Sequence, residues 1–562
     1  MFRTARRTLF GGAFLTLFGA ACYSTGDGVD PPPNDFYYPV GLAVSRGGSA
    51  LYTVNSNFDL QWNAGTIQSY DLNLIRTHAL AAIRDPKDAI LPLAVPGNVG
   101  TCPSGPVANR VGGSATEALE TCAPIVQSSF YVRDSAHIGA FATDMQILDG
   151  RRLFVPTRGN ASLTYVDVAA DDTTTLPPAD PNTPYAPFQL DCGVRDGARC
   201  NGSHEVGANP NEEGNSRHIT MPGEPFGLAL SEDGSSAIIT HQSEGKASLF
   251  STGMKRGSPD MGRPAIQFIL EEQLPVGGNG VAAVPHCLTQ PDGSACAPSP
   301  PRPAFLLTSR VTRDVSLIRY YDDDATGGAI RRPFLRKEAT YSLDASVNGN
   351  DSRGIAIDPT PRIACLLNVQ SAGGTRTAAD VAAETTKCNE TPARVFIANR
   401  APASLIYGEV GSRTTESAAA NPDRVTVSGT IPVSNGPSRV YLGPIVDRNG
   451  RYALRVFVVC FDALAIYVID PETLALENVI RVAPGPYALA FDPFSWEDVA
   501  MHRVAAVDAR NPSTHAFRFG YLASFTQSFV QIIDLDAASD HPQGFENIVM
   551  QLGKPTNPKG SF

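Results

Sequence analysis

Residues 225–250 read PFGLALSEDGSSAIITHQSEGKASLF, and this stretch contains the pattern that decides the fold. A proline and a glycine mark the entry to a short apolar strand that ends at Ser231. A turn with an Asp-Gly pair follows, and a second strand, rich in β-branched residues, runs to His241. A third strand begins at Ala247 after another polar turn. Short strands separated by Gly-rich turns predict an antiparallel sheet.

The same pattern recurs along the chain in degenerate form. Seven copies can be aligned, and their first strands are predicted at Pro39–Ser45, Phe141–Leu148, Pro225–Ser231, Gly280–Val284, Arg353–Asp358, Ser438–Leu442 and Pro486–Asp492. Two further strands complete each core unit, and a fourth can be read after most copies. Four short strands repeated seven times predict an all-β protein, a seven-bladed β-propeller over residues 36–554. A single blade cannot bury both of its faces, so the blades must pack against one another.

The units resemble the YVTN-type, lactonase-like repeat of bacterial surface and periplasmic propellers. Leu51-Tyr-Thr-Val-Asn55 and Ser231-Glu-Asp-Gly234 match that pattern well, and Tyr467-Val-Ile-Asp470 matches its closing strand. The resemblance covers about residues 36–554, and the second and fourth copies depart from it widely. It implies a propeller, and it leaves open whether the protein is a binding platform or a hydrolase.

Composition and charge exclude several classes of protein. The chain has 562 residues, of which 42% are hydrophobic, too many for a disordered polymer. Its 50 glycines and 45 prolines do not suit a coiled coil or a large helical bundle. The formal net charge is -11, so the chain does not have the excess of basic residues that is typical of a nucleic-acid binder. We therefore expect no nucleic-acid partner.

The N-terminus indicates export. Residues 1–21 combine three early arginines with an apolar run of about a dozen residues, too short to span a bilayer, and are predicted to be a signal peptide. Phe18-Gly-Ala-Ala-Cys22 resembles a bacterial lipobox, which implies that Cys22 is diacylated and anchors the protein to a membrane. Residues 22–35 are then a lipid anchor and Pro-rich tether, and residues 555–562 a C-terminal tail. This predicts the periplasmic or outer-surface side of a bacterial cell envelope; the alternative is cleavage without lipid and a secreted, soluble protein.

The other nine cysteines fit an oxidising compartment. Seven blades need about 300 residues, at roughly 40–45 each. The surplus lies in insertions near 76–128, 169–217, 285–302, 322–337, 365–392 and 494–516. Pairing between neighbours in sequence is the simplest arrangement, and it predicts disulfides Cys102–Cys122, Cys192–Cys200, Cys287–Cys296 and Cys365–Cys388, largely within these insertions. Cys460 lies in an apolar strand and is predicted to be a buried, free thiol.

Alignment of the copies places several basic residues at one mouth of the ring. Loops between second and third strands share a face with loops that enter first strands. The residues predicted at or beside these positions are Arg158, His241, Arg310, Arg353, Arg400 and Arg439, with Asn55 at the equivalent place in the first copy. Arginine is a natural donor to carboxylate and phosphate, so we hypothesise an anionic glycan, peptide or protein ligand. The alternative is that each arginine pairs with one of the 56 acidic residues.

No catalytic residue, metal site or cofactor is predicted. None of the nine histidines forms a metal-binding pair at i, i+2 or i, i+4, and no nucleophile or phosphate-binding motif occurs. A lactonase-like site would need His241 to meet a carboxylate and arginines at the mouth. The acidic groups Asp322–Asp324 and Asp534, Asp536 and Asp540 are expected to be solvated turns rather than calcium loops. We therefore expect an envelope-anchored binding platform; a lactonase-like hydrolase and a purely structural envelope protein are the alternatives, and the oligomeric state stays open.

Overall fold

The computed structural model describes residues 28–84, 94–99, 123–171, 186–271, 274–286, 302–322, 332–343, 349–372, 376–411 and 423–553. These residues form seven blade sheets, each built on four antiparallel strands of the repeat, and one separate two-stranded hairpin. The predicted all-β, seven-bladed β-propeller is therefore confirmed. Register pairs such as Pro225–His241 and Leu230–Ala237 join the first two strands of the third blade, as the sequence pattern requires.

The strands follow the chain blade by blade. Blade 1 contains β1 (Pro39–Val44), β2 (Ala50–Asn55), β3 (Gly65–Asp71) and β6 (Val132–Ile138). Its insertion contributes β4 (Ala94–Val99) and β5 (Pro124–Val126). Blade 2 contains β7 (Gln146–Leu148), β8 (Arg152–Thr157), β9 (Ser162–Asp167) and β10 (Glu205–Val206). Blade 3 contains β11 (Pro225–Leu230), β12 (Ser236–His241), β13 (Ala247–Ser251) and β14 (Ala265–Leu270).

The remaining blades are longer and carry most of the helices. Blade 4 contains β15 (Gly278–Ala283), β16 (Ala304–Ser309), β17 (Asp314–Tyr321) and β18 (Phe334–Ser342). Blade 5 contains β19 (Asn350–Asp358), β20 (Ala393–Ala401), β21 (Ala403–Val410) and β22 (Val425–Pro432). Blade 6 contains β23 (Pro437–Val446), β24 (Tyr452–Cys460), β25 (Ala465–Ile469) and β26 (Leu476–Arg481). Blade 7 contains β27 (Pro486–Phe491), β30 (Phe519–Ser524), β31 (Phe529–Asp534) and β32 (Ile548–Gly553), and its insertion holds the hairpin β28 (Val507–Asp508) and β29 (Asn511–His515).

The helices of the described residues lie in the insertions. They are α1 (Leu72–Arg84), α2 (Thr360–Ser371), α3 (Ala378–Asn389) and α4 (Trp496–Ala500), with 3-10 turns at Ser128–Phe130, Ala186–Phe188, Gly202–His204 and Pro542–Gly544. Helix α3 begins where the Thr377 hydroxyl accepts the Asp380 N–H at 3.2 Å and the Asp380 carboxylate accepts the Thr377 N–H at 3.1 Å. This reciprocal pair is a capping box, which satisfies two free donors at the helix start.

The ring is closed by contacts between the first strands of neighbouring blades, including β27 of blade 7 against β1 of blade 1. An apolar cluster lies between each pair of adjacent blades in the described part of the chain. Between blades 3 and 4, for example, Ile238 and Leu249 pack with Phe305 and Ile318. The core of this protein is therefore a set of layers around one axis, as the packing argument predicts.

A glycine repeated in the first strands allows the close approach of neighbouring blades. A Cβ on Gly227 would lie 2.1 Å from the Asn279 carbonyl oxygen, and one on Gly280 would lie 2.1 Å from that of Arg353. The Gly227 N–H donates to the Thr240 hydroxyl at 3.0 Å. The Pro-x-Gly entry recognised in the sequence is thus a packing device, because only glycine leaves room for the next blade.

Blade 7 is locked to blade 1 by an element that the sequence did not indicate. Strand β5, from the insertion of blade 1, pairs in parallel with β32 through Gln551–Ile125 and Leu552–Val126. Arg76 of α1 also forms buried ion pairs with Asp492 and Asp508 of blade 7. Residues 34–38, which precede β1, form no strand, and the Tyr38 N–H donates to the Ser528 hydroxyl of blade 7 at 3.2 Å.

Two of the predicted disulfides are present in the described residues. Cys192–Cys200 joins residues of the blade 2 insertion, and Cys365–Cys388 joins α2 to α3. The free thiol of Cys460 is buried, as predicted, and burial raises its pKa to about 12. The predicted pairs Cys102–Cys122 and Cys287–Cys296 lie outside the described residues.

Two local predictions were wrong. The first strand of blade 2 begins at Gln146 rather than at Phe141, because Phe141 adopts a left-handed conformation with φ 58° that interrupts extended backbone. Asp534 and Asp536 are fully buried instead of solvated. The Asp534 carboxylate pairs with Arg518 at 2.8 Å and that of Asp536 with His515 at 2.9 Å. These two aspartates, at the end of β31 and just after it, are therefore buried partners of Arg518 and His515.

The chain ends are described only in part. The signal peptide, Cys22 and the C-terminal tail lie outside the described residues. The last part of the predicted tether packs on blade 1: Pro31 is buried, and the Val29 carbonyl accepts the Asn63 N–H at 2.9 Å. Within the described ranges, no helix has both the length and the apolar character needed to cross a bilayer.

Candidate functional site

The two faces of the ring carry very different loops. Since strands alternate in direction, second-to-third loops and blade-to-blade connections lie on one face, which we call the mouth face. First-to-second and third-to-fourth loops lie on the other, which we call the insertion face. Loops between second and third strands are short, such as residues 242–246 in blade 3 and 461–464 in blade 6. Helices α1, α2, α3 and α4 all lie in loops of the insertion face.

Arg310 stands at the start of the second-to-third loop of blade 4, on the mouth face. Its side chain is exposed and forms no ion pair or hydrogen bond with any residue that the structure describes. Partial burial lowers the pKa of Arg310, and the guanidinium groups of Arg353, Arg400 and Arg158 lower it further, while Asp351 raises it. These effects indicate that the guanidinium groups of Arg353, Arg400 and Arg158 lie near that of Arg310, while the role of the four arginines as a ligand site stays a prediction.

The other three arginines of this group each hold one carboxylate. Arg158 pairs with Glu224 at 2.6 Å, and Arg400 pairs with Asp462 at 2.8 Å. Arg353 donates to Asp351 at 2.9 Å. The carboxylates of Glu224 and Asp462 are 42% and 53% exposed, so water and salt screen these pairs. The alternative considered in the sequence, pairing with local acids, thus holds for these three arginines and leaves Arg310 as the unpaired cation.

Arg439 lies deeper, at the entrance of the central channel. It pairs with Asp144 at 3.2 Å, donates to the Tyr487 hydroxyl at 2.9 Å, and stacks 4.8 Å above the Tyr487 ring. Burial alone would lower the pKa of Arg439, but Tyr487 and Asp144 raise it above its ordinary value. Its charge is held inside the wall of the ring, so the structure places this predicted ligand residue below the open mouth.

His241 does not reach the mouth either. It is fully buried, its Nδ1 contacts the Gly223 carbonyl oxygen at 2.8 Å, and its Nε2 contacts the Ser248 hydroxyl at 2.8 Å. Burial lowers its pKa to about 4, so the ring is neutral near pH 7. No carboxylate of the described residues lies at hydrogen-bond distance from this imidazole. Asn55 of blade 1 is likewise buried and bonds to Thr66 and Gln68.

A cavity of about 460 Å³ opens on the mouth face beside Arg310. It is lined by Glu224, Gln242, Ser243, Val276, Gly277, Arg310, Val311 and Asp351. The side chains of Gln242 and Ser243 form no hydrogen bond with the described residues, so they present free donors beside the unpaired guanidinium. Sequence reasoning missed both residues, although they directly follow His241 in the loop it identified.

A second cavity, of about 480 Å³, occupies the central channel. Its wall includes Gly227, Gly280, Ala282, Ile355 and Val440 of the first strands, and it extends from Arg439 and Asp144 to Trp496 of α4. Most of this lining is apolar or backbone, so the channel offers few groups that would orient a ligand. The open mouth, with its free cation and free donors, is the stronger candidate for binding.

Comparison with known proteins assigns the chain to no family and gives it no activity. No family model matches the chain, and no curated protein matches it. Among solved structures, a candidate 6-phosphogluconolactonase of Bacteroides fragilis is 13% identical, with a TM-score of 0.39, over 80% of this chain and 86% of that one. A Lactobacillus plantarum protein is 12% identical, with a TM-score of 0.40, over 81% of this chain and 87% of that one. Kuenenia stuttgartiensis hydrazine synthase is 12% identical, with a TM-score of 0.39, over 91% of this chain and 99% of that one. Likeness at this level carries no argument about substrate or reaction.

Proposed function

We propose that the protein is a binding module that takes an anionic group at its mouth, with Arg310 as the anchor. The observation that carries this proposal is the exposed, unpaired guanidinium of Arg310 in a cavity that also contains free Gln242 and Ser243 donors. A carboxylate or phosphate there would gain charge-assisted hydrogen bonds, which are the stronger kind. It would also relieve the repulsion among Arg310, Arg353, Arg400 and Arg158.

Titration with two polyanions tests this proposal. Poly-L-glutamate and polygalacturonate are the probes, measured by isothermal titration calorimetry at low and high salt. We expect binding that weakens with salt, and an Arg310→Ala variant that binds roughly tenfold or more weakly, since a hydrogen bond to a charged group contributes about 1.5–3 kcal/mol. An Arg310→Lys variant should retain part of the affinity, because it keeps the charge without the planar fork.

Arg46→Ala is the matched control. Arg46 is also an exposed arginine, with a single distant pair to Asp149 at 3.5 Å, but it lies in a loop of the insertion face. Its removal changes the net charge of the protein by the same amount as Arg310→Ala. Equal losses in the two variants would mean a nonspecific charge effect and would overturn the proposal, as would the absence of binding by the unaltered protein.

We further propose that the protein is exported and carried on a lipid at Cys22. The Cys192–Cys200 and Cys365–Cys388 disulfides support an oxidising location outside the cytoplasm. The support for the lipid itself is the lipobox-like sequence before Cys22. Mass spectrometry of the mature N-terminus should find a diacylated Cys22; an unmodified Cys22 or an intact first residue would contradict the anchor.

A further inference from the structure

The mouth face has a second half that is aromatic instead of charged. Side chains from blades 6, 7 and 1 form one cluster, which we call the aromatic arc: Tyr38, Phe58, Phe141, Phe461, Tyr487 and Phe525. Phe525 is its centre, with ring centroids 5.0 Å from Tyr38 and 5.4 Å from Phe58. These are normal aromatic packing distances, so the arc is a preformed surface that costs little entropy to use.

The arc leaves large apolar side chains in contact with water. Phe58 is 51% exposed, and Leu60 in the same loop is 58% exposed. Leu464, in the corresponding loop of blade 6, is 38% exposed. Single exposed apolar residues are common, but these three lie in two loops that each also supply a ring of the aromatic cluster, Phe58 in blade 1 and Phe461 in blade 6, and this indicates an interaction surface. Trp, Tyr, Phe and Arg are the residues that protein interfaces use most as anchors.

The aromatic arc and the arginines belong to one continuous rim. On one side, the Arg158 N–H donates to the Phe141 carbonyl at 3.1 Å. On the other side, Phe461 of the arc precedes Asp462, which holds Arg400. Below this rim, Arg439 stacks on Tyr487, whose ring lies 6.0 Å from that of Phe525. A ligand bound at Arg310 in blade 4 must extend across the mouth to reach the aromatic arc of blades 6, 7 and 1.

We infer that the ligand of this mouth is a polypeptide segment that combines a carboxylate with a large apolar side chain, the carboxylate binding at Arg310 and the apolar group at Phe58. This inference rests on the proposed function, since it assumes anion binding at Arg310. Arg310 belongs to blade 4 and Phe58 to blade 1, on different parts of the ring, and this separation suits an extended chain with spaced side chains.

The charges of the mouth face favour a polypeptide over an anionic membrane. Glu224, Asp462 and Glu271 are 42%, 53% and 58% exposed on this face, beside the arginines. They would repel an anionic bilayer, and the whole chain carries a formal charge of -11. A flexible chain can place one carboxylate at Arg310 while the rest of it stays away from these acids, which a flat anionic bilayer cannot do.

Selection from a random dodecapeptide display library on the full-length protein tests the inference. We expect enriched peptides that contain both an acidic and an aromatic or large aliphatic residue. A synthetic copy of such a peptide should bind roughly tenfold more weakly to Phe58→Ala and to Arg310→Ala. Replacing the acidic residue of the peptide should abolish the effect of Arg310→Ala, and replacing its apolar residue should abolish that of Phe58→Ala.

The outcomes separate this inference from the proposed function. Peptides that are acidic but have no apolar preference, with full affinity for Phe58→Ala, would overturn the inference and leave anion binding intact. Apolar peptides that bind Arg310→Ala normally would overturn the inference, and the polyanion titration would then decide the proposed function separately. Failure to enrich any peptide, together with Phe58-dependent binding to phosphatidylglycerol-rich vesicles, would assign the surface to a membrane and overturn the inference. Phe130→Ala is the control variant, since Phe130 is 45% exposed on the insertion face.

Discussion

The mouth face and the insertion face use the same kind of ion pair in opposite ways. On the mouth face, Arg158 and Arg400 hold carboxylates that are about half exposed. On the insertion face, Arg76 and Arg518 hold Asp492 and Asp534, whose carboxylates are fully buried. An exposed pair contributes little to stability and can exchange its partner for a ligand, whereas a buried pair cannot lose one member without leaving a charge in the interior.

This difference assigns a separate role to each face. The insertions on one face bring α1 and β5 of blade 1 onto blade 7 and hold the ring closed. The short loops of the other face leave the arginines and the aromatic arc accessible. The insertions need not cover the mouth, because loops that follow first and third strands all emerge on the opposite side.

The largest expected effect is on the insertion face. Asp492 accepts the N–H groups of Arg518 and Phe519 and the Tyr521 hydroxyl, besides its pair with Arg76. Asp492→Ala leaves Arg76 and these donors without that partner, and we expect a loss of about 3–5 kcal/mol in the free energy of unfolding. Urea denaturation followed by tryptophan fluorescence measures it.

The matched control for this variant is Asp462→Ala on the mouth face. It removes the exposed partner of Arg400 and should cost less than about 1 kcal/mol. Comparable losses in the two variants would contradict the distinction between a stabilising face and a binding face.

A smaller effect on the free energy of unfolding is expected from His241, and it depends on pH. Its pKa in the folded protein, about 4, lies below the ordinary value of 6.5, so the unfolded chain binds more protons between these values. The contribution of His241 to stability is therefore present above about pH 6.5 and lost as the pH falls toward 4. The stability difference between the unaltered protein and His241→Gln should shrink by about 2 kcal/mol from about pH 7 to about pH 5. A pH-independent difference would mean that His241 is not buried as a neutral ring.

Burial of Asp534 changes the stability of the protein with pH in the opposite direction to His241, over a pH range that overlaps that of His241. Its pKa is raised by burial to about 6 from an ordinary 3.8, so the folded protein binds more protons between these values. This term increases stability as the pH falls, and it opposes the loss from His241. Comparing two variants at each pH cancels it, which is why the His241→Gln difference is the quantity to measure.

The smallest effect on stability is expected at Glu224. Glu224→Gln frees Arg158 beside Arg310 and should change the free energy of unfolding by less than about 1 kcal/mol. The same change should raise the affinity for poly-L-glutamate severalfold, because a second guanidinium becomes available and a repelling carboxylate is lost. Unchanged or weaker binding would mean that the arginine pairs of the mouth face are structural only.

The sequence predicted the blades because their signals are local. Alternating strands, Asp-Gly turns and the Pro-x-Gly entry each lie within a few residues of one another, and each blade repeats them. It also predicted that the loops of Arg158, Arg310, Arg353 and Arg400 meet at the mouth; three of these guanidinium groups influence the pKa of Arg310, and their role in binding stays a prediction. Ring closure by β5 was not predictable in this way, since it depends on a parallel pairing between residues that are distant in sequence.

His241 shows how a difference of one residue in the alignment decides whether a side chain lies at the mouth or inside a blade. His241 pairs in register with Pro225 and is the last residue of β12, whereas Arg310 is the first residue after β16. Successive side chains of a strand point to opposite faces, so an alignment that treats the two positions as equivalent places one of them inside a blade. The aromatic arc was missed for a different reason: its six rings come from several loops, and only the folded ring brings them together.

Anomalous diffraction from crystals soaked in sodium selenate tests the central claim most directly, because it locates bound oxyanions without assuming a ligand. We predict that the strongest selenate site lies within hydrogen-bond distance of the Arg310 guanidinium, with Gln242 and Ser243 as further donors, and that it disappears in Arg310→Ala crystals. Selenate bound only on the insertion face, or bound at the mouth equally well without Arg310, would contradict the claim.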